Sequence, residues 1–141
     1  MSSQTATTAL YGSNRSEDEQ IAALTSGDVS VGVYGLGKMG LPLASVYADT
    51  TGNVTGADID TNVVREINGG RNHIVGEPGL DELVEDLVET GALTASTEPR
   101  EVAESASVHV VIVPTLVDED DRPDLSVIEA VTNDIGKGLE K

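Results

Sequence analysis

The chain has 141 residues, of which 38% are hydrophobic, which is room for one ordinary domain and not for two. Its 25 Asp and Glu against 8 Lys and Arg give a formal charge of -17, so nucleic acid and anionic membrane surfaces are disfavoured as partners. Cys is absent, which excludes disulfides, thiolate metal sites and a cysteine nucleophile within these residues. No apolar run approaches the roughly 20 residues that a membrane span needs.

The opening MSSQTATTALYG has neither the cationic nor the apolar segment of a secretory leader, so a cytoplasmic location is expected. Residues 1–28 are rich in Ser, Thr, Asn and Glu without a sustained apolar period, and read as a mobile lead-in. Within them Ile21, Ala22 and Leu24 are placed to make one helical turn against the domain. From Val29 the pattern changes: Val29 to Tyr34 is a β-branched run ending in glycines, the first expected strand.

Met39, Leu43, Ala44, Val46 and Tyr47 then recur at helical spacing, and Gly52 supplies a left-handed stop. Val54 to Ile59 is the second strand; Asp60 stands where a helix cap belongs, followed by Val63, Val64 and Ile67 before Gly69-Gly70. After a loop closed by Glu77-Pro78-Gly79, the apolar stripe Leu80, Leu83, Val84, Leu87, Val88 marks a helix ended by Gly91. Leu93 to Ser96 is a third strand, and Thr97 is the expected cap of a short helix with Pro99 in its first turn. Val108 to Val113 is almost wholly apolar, as in a strand covered on both faces, and is expected inside the sheet. Asp124 is placed to cap a last helix whose inward stripe is Leu125, Ile128, Val131 and Ile135. Strands alternating with helices at this spacing predict a parallel α/β sheet.

Gly35, Gly37 and Gly40 form G-x-G-x-x-G between an expected strand and an expected helix, within a β-α-β unit. In that context the first glycine permits a tight turn, the second the close approach of a pyrophosphate, and the third the close packing of helix on strand. Unpaired amides and the positive helix end would face the phosphates. Asp58, at the end of the second strand, is placed to accept hydrogen bonds from the adenosine ribose and to repel a 2′-phosphate. NAD is therefore expected over NADP, with Lys38 and Arg65 as the cations that would weaken that preference; the bland reading of Asp58 is a cap of the next turn. Asp60 reads as a helix cap. His109 reads as a packed imidazole within a strand, His73 as a solvated loop residue, and Asp118-Glu119-Asp120-Asp121 as a solvated turn that lacks calcium-loop spacing.

The phrases VGVYGLGKMGLPLA, VTGADID, INGGRNHIVGEPGL, LTASTEP and VVIVPT, in this order, resemble the N-terminal domain of the UDP-glucose/GDP-mannose dehydrogenase family over residues 29 to 135, with HIVGEPGL most similar to UDP-N-acetyl-D-mannosamine dehydrogenases. The resemblance implies a Rossmann-like doubly wound parallel sheet, truncated here after the fourth strand and its helix, with residues 29–141 as a partial NAD-binding domain. It also implies an NAD-dependent oxidation of the C6 hydroxymethyl group of a UDP-sugar to a carboxylate, serving polysaccharide biosynthesis, in an enzyme expected to be a homo-oligomer. Gly35, Gly37, Lys38, Met39 and Gly40 would hold the pyrophosphate, Asp58 the ribose, and Thr115 would line the NAD cleft, although Leu116 replaces the proline usual after that threonine. The family's catalytic cysteine and lysine and its sugar-binding segments have no counterpart here, so the chain alone is expected to be inactive, a fragment or truncated gene product whose fourth strand has a bare, association-prone edge. The alternatives are a dinucleotide-binding module without turnover and, with a poorer fit in the loops, a methyltransferase with a similar glycine turn.

The acidic residues are spread along the chain, and with three Lys and no Trp or Phe the composition resembles proteins of salt-loving archaea. If the acidic coat is an adaptation to salt, stability measured by thermal unfolding rises steeply from low salt to molar KCl. A flat response would show an ordinary acidic protein.

Overall fold

The fold is described from a computed structural model, which covers Leu10 and residues 14–140. The expected lead-in falls partly on residues 1–9 and 11–13, outside the described residues. Four short strands, β1 (Val31–Tyr34), β2 (Val54–Ala57), β3 (Leu93–Ser96) and β4 (Val108–Val111), form one parallel sheet in the order β3-β2-β1-β4. Val31 pairs with Val54 on one side and Val108 on the other, so the glycine turn leaves the sheet from its interior.

Alternation along the strands divides the side chains between two faces. Val31, Val33 and Val54 enter one core with Leu41, Ala44 and Ala48 of α2 (Gly40–Thr51), Ile67 of α3 (Thr61–Asn68), and Leu80, Val84 and Leu87 of α4 (Leu80–Glu89). Tyr34 and Ala57 enter the opposite core with Val102 and Ala103 of α5 (Pro99–Ser105) and with Val131 and Ile135 of α6 (Ser126–Leu139). Helices thus cover both faces, the doubly wound arrangement expected from the alternating pattern. On α6, Gly138 lets the helix lie against α5, since a Cβ there would come 2.5 Å from that of Ala103.

The end signals read from the sequence act largely as expected. Gly52 closes α2 in the left-handed conformation, and the Asp60 carboxylate accepts from the amides of Asn62 and Val63 to open α3. Asp124 is not the cap residue of α6, a position that falls on Leu125, but its carboxylate accepts from the Ser126 amide one residue further on, and that bond holds its carboxyl below the ordinary value. Thr97 is not the cap of α5; that position is Glu98, which makes no side-chain cap bond, because Pro99 begins the helix one residue later. The N-terminal helix α1 (Glu17–Thr25) is longer than the single turn expected. Ser16 and Glu19 close a reciprocal capping box at its start, and it is Ala23 that is buried while Ile21 stays exposed.

The last third of the chain corrects one expectation and adds one element. β4 lies at an edge of the sheet and its residues are half-buried or exposed, contrary to the interior position that its apolar sequence suggests and in agreement with the bare edge that the resemblance implies for this chain. The run is apolar because one face meets the core while its carboxyl end feeds the cleft described below; among the described residues no strand pairs with its outer side. After it, β5 (Leu116–Val117) and β6 (Pro123–Asp124) form an antiparallel ribbon. The acidic run is its turn: Asp118 accepts from the amides of Asp120 and Arg122, and Asp121 takes a positive φ of 57°.

Tyr34 is 1% exposed, and its hydroxyl lies 2.8 Å from Nδ1 of His109, with the rings stacked at 5.8 Å. Burial pushes the phenol up to about 12, so it stays protonated and shares one hydrogen with Nδ1, the donor being set by the imidazole tautomer. Burial also lowers the pKa of His109 from its ordinary 6.5. The unfolded chain therefore binds this proton more readily, and the contribution is full above pH 6.5 and lost as pH falls through the folded value. Denaturant unfolding between about pH 7.5 and 5.5 is expected to show a loss of stability on acidification that is smaller in His109→Gln, whose amide does not titrate.

Candidate functional site

The glycine turn between β1 and α2 is built by exclusion of side chains. Gly35 has a φ of 103°, and a Cβ on it would strike the carbonyl oxygen of Ile112 beyond β4. A Cβ on Gly40 would collide with the carbonyl oxygen of Gly35, so this residue lets α2 begin directly against the turn. Gly37 differs: a Cβ there would meet nothing within 4 Å. The space beside it is the cleft. The amides of Gly37, Lys38, Met39 and Gly40 meet no acceptor among the described residues, as the first turn of a helix leaves them.

Leu36, between the first two glycines, anchors this turn. Its side chain is fully buried and sits above Gly56 of β2, where a Cβ would come 2.5 Å from Leu36 Cδ2. Its amide donates to Asp58 Oδ2 at 3.0 Å, while the other carboxylate oxygen accepts from the Asp60 amide at 2.9 Å. Its carbonyl accepts from Nε2 of His73 at 2.6 Å. Asp58 is thus both a turn cap and a brace for the loop. Each oxygen keeps a lone-pair site for a further donor.

A cleft of about 560 Å³ opens at the carboxyl ends of β1, β2 and β4. Gly35, Gly37, Lys38, Met39, Gly40 and Asp58 line it together, which brings six of the seven sequence-predicted residues to one place. Thr115 is exposed in the following loop and does not line the cleft, although its neighbours Pro114 and Leu116 do. Lys38 faces the cleft and Arg65 does not. The rest of the wall is apolar: Ile59, Pro99, Ile112, Val113, Val127 and Val131. Ile59 is 83% exposed, a large apolar side chain left at the mouth. Pro99 and Val127 are contributions that pattern reading did not assign to a site, since they come from starts of helices on the far face. Among the described residues no three His, Asp or Glu side chains converge as a metal site, and no helix is long and apolar enough to cross a membrane.

An open notch at the middle glycine, free amides at a helix start and an acidic acceptor at the end of the neighbouring strand define a dinucleotide-binding domain. The profile of the UDP-glucose/GDP-mannose dehydrogenase family, NAD binding domain, matches residues 29–141, and the chain belongs to that family. Its cofactor is NAD. The sequence is 44% identical over 112 residues to NDP-N-acetyl-D-galactosaminuronic acid dehydrogenase of Ralstonia nicotianae, covering 79% of this chain and 25% of that protein. It is 44% identical over 110 residues to UDP-N-acetyl-D-mannosamine dehydrogenase of Campylobacter jejuni, covering 77% and 26%. The fold is similar to that of GDP-mannose dehydrogenase from Pseudomonas aeruginosa, with a TM-score of 0.76, 28% identity, and coverage of 80% of this chain and 26% of the other. The chain spans about a quarter of the length of these relatives.

The glycines predict opposite outcomes on substitution. Gly37→Val leaves the melting temperature nearly unchanged, because the side chain enters open space, but lowers NAD affinity at least tenfold, roughly the loss of one hydrogen bond to a charged group. Gly40→Ala forces the turn apart and costs about 1–3 kcal/mol of stability by overpacking. Thermal unfolding and calorimetric titration of both variants check the pair.

Proposed function

We propose that residues 29–141 are the NAD-binding part of a nucleotide-sugar dehydrogenase that oxidises the C6 hydroxymethyl group of a UDP-sugar, UDP-N-acetyl-D-mannosamine or UDP-glucose, to the carboxylate, with residues 1–28 as a lead-in. The observation that carries this reading is the open notch at Gly37 flanked by the Asp58 carboxylate. The free amides of Gly37 to Gly40, at the positive end of α2, hold the diphosphate, with Lys38 and Met39 at the two variable positions. Asp58 accepts from the ribose hydroxyls, and the apolar walls from Ile59, Pro99 and Val131 suit the faces of the base. NAD is the hydride acceptor, and two molecules of it are reduced, with one water consumed, for each hydroxymethyl group taken to the carboxylate.

These 141 residues contain no Cys, so the covalent step that the resemblance implies is not performed by them, and this chain by itself binds cofactor without turnover. The composition supports a salt-adapted protein, and the setting we propose for it is a cytoplasmic, homo-oligomeric enzyme of polysaccharide biosynthesis.

Calorimetry tests the assignment. NAD and ADP bind the chain, NADP binds at least tenfold more weakly because Asp58 repels the 2′-phosphate, and Asp58→Asn loses about 10- to 100-fold for NAD, the range of charge-assisted hydrogen bonds, while closing the gap to NADP. Absence of heat with NAD and ADP in a folded sample would sink the proposal.

A further inference from the structure

His73 lies in the loop between α3 and α4, away from the glycine motif in sequence, and its imidazole is nevertheless bonded to the backbone of that motif. A carbonyl oxygen only accepts, so Nε2 carries the proton and donates to Leu36 O at 2.6 Å. The loop holds the ring in place from both sides. Asn72 accepts from the Ile74 amide at 2.8 Å and donates to the Ile74 carbonyl and to Asp81 Oδ1, tying the segment to α4, while Ile74 packs on the core.

The bonded carbonyl belongs to the same peptide unit as the amide of Gly37. In a trans peptide the C=O and the N–H point in opposite directions, and none of the described peptide bonds is cis. Fixing the Leu36 oxygen toward His73 therefore fixes the Gly37 N–H away from His73, and of these two residues Gly37 lines the cleft while His73 does not. Asp58 restrains the other side of Leu36 through its amide, but that bond acts on the Gly35–Leu36 peptide and leaves the Leu36–Gly37 plane free to rotate. No residue other than His73 holds that plane by its carbonyl among the described residues. A glycine on one side of the plane makes rotation sterically cheap.

We infer that His73 is a positioning residue for cofactor binding: by donating to the Leu36 carbonyl it aims the Gly37 amide at the diphosphate. The inference rests on the dinucleotide reading above. It makes the loop after α3 part of the binding apparatus without any contact with the cofactor. The aim of the amide matters because a prealigned donor binds an anion without the cost of reorienting a peptide on each binding event.

The test compares the 141-residue chain with His73→Leu, which removes the donor, and His73→Gln, whose amide nitrogen reaches the place of Nε2. ADP and NAD affinities are read by calorimetry, adenosine by NMR titration, and the Gly37 amide by its ¹⁵N–¹H resonance in the free protein. His73→Leu weakens ADP and NAD about tenfold, near the value of one hydrogen bond to a charged group, while adenosine, which carries no phosphate, binds as before. The Gly37 resonance shifts in His73→Leu and returns in His73→Gln, with ADP affinity restored to within about threefold. Equal losses for ADP and adenosine would reduce His73 to a structural residue, and unchanged ADP affinity would overturn the inference. Should His73→Leu not fold, His73→Asn replaces it, since its shorter amide falls short of Leu36; equal ADP affinities of the Gln and Asn variants would overturn the inference as well. Failure of the unsubstituted chain to bind NAD or ADP is a different result and would refute the functional reading itself.

Discussion

The Leu36–Gly37 segment is the point at which sheet, loop and cleft are made one object. Burying the Leu36 side chain over Gly56 removes a leucine from water, worth about 1.5–3 kcal/mol, and that burial is possible only because β2 offers a glycine there. With the side chain held, the amide reaches Asp58 and the carbonyl reaches His73. Four consecutive amides can then stay without partners among the described residues at the mouth of a cleft, an arrangement that an unanchored loop would escape by turning them toward other acceptors.

The division of the side chains between the two faces places this turn where it is useful. β1 is flanked by β2 and β4, so its carboxyl end has neighbours on both sides, Asp58 from one and Ile112 to Pro114 from the other. Val127 and Val131 of α6 complete the wall. The cleft therefore draws polar chemistry from the interior of the sheet and apolar surface from its periphery, which matches a ligand with a charged linker and flat aromatic ends.

Much of this is legible in the sequence because the signals are local. A G-x-G-x-x-G between strand and helix, an Asp at the end of the next strand, the cap at Asp60 and the stop at Gly52 each act within a few residues and each appears where its spacing puts it. The lateral order of the strands is not local. Val108 to Val113 has the composition of an interior strand, and no property of those residues says how many neighbours they have in this chain. His73 reads as solvated in the sequence because a loop histidine carries no periodicity, and its partner is a backbone atom that no side-chain pattern marks. The ribbon of Leu116–Val117 with Pro123–Asp124 is hidden for a related reason: strands of two residues are too short for alternation to show. The start of α5 moves from Thr97 to Glu98 because proline's fixed φ outweighs the preference of a hydroxyl for the capping position.

The two borders of the sheet are unlike. On the β3 side the Asn68 side chain donates to the Ala95 carbonyl and accepts from the Ala95 amide, each at 2.9 Å, imitating the rung of an adjoining strand. A side-chain amide of this kind terminates the hydrogen-bond ladder with a group that has no further backbone to offer. The β3 border is thus closed at Ala95 by a side chain, whereas among the described residues no strand pairs with the outer side of β4. Ile112, Val113 and Pro114 continue from β4 into the cleft wall, so the uncapped border of the sheet and one side of the cavity are made by a single stretch of backbone.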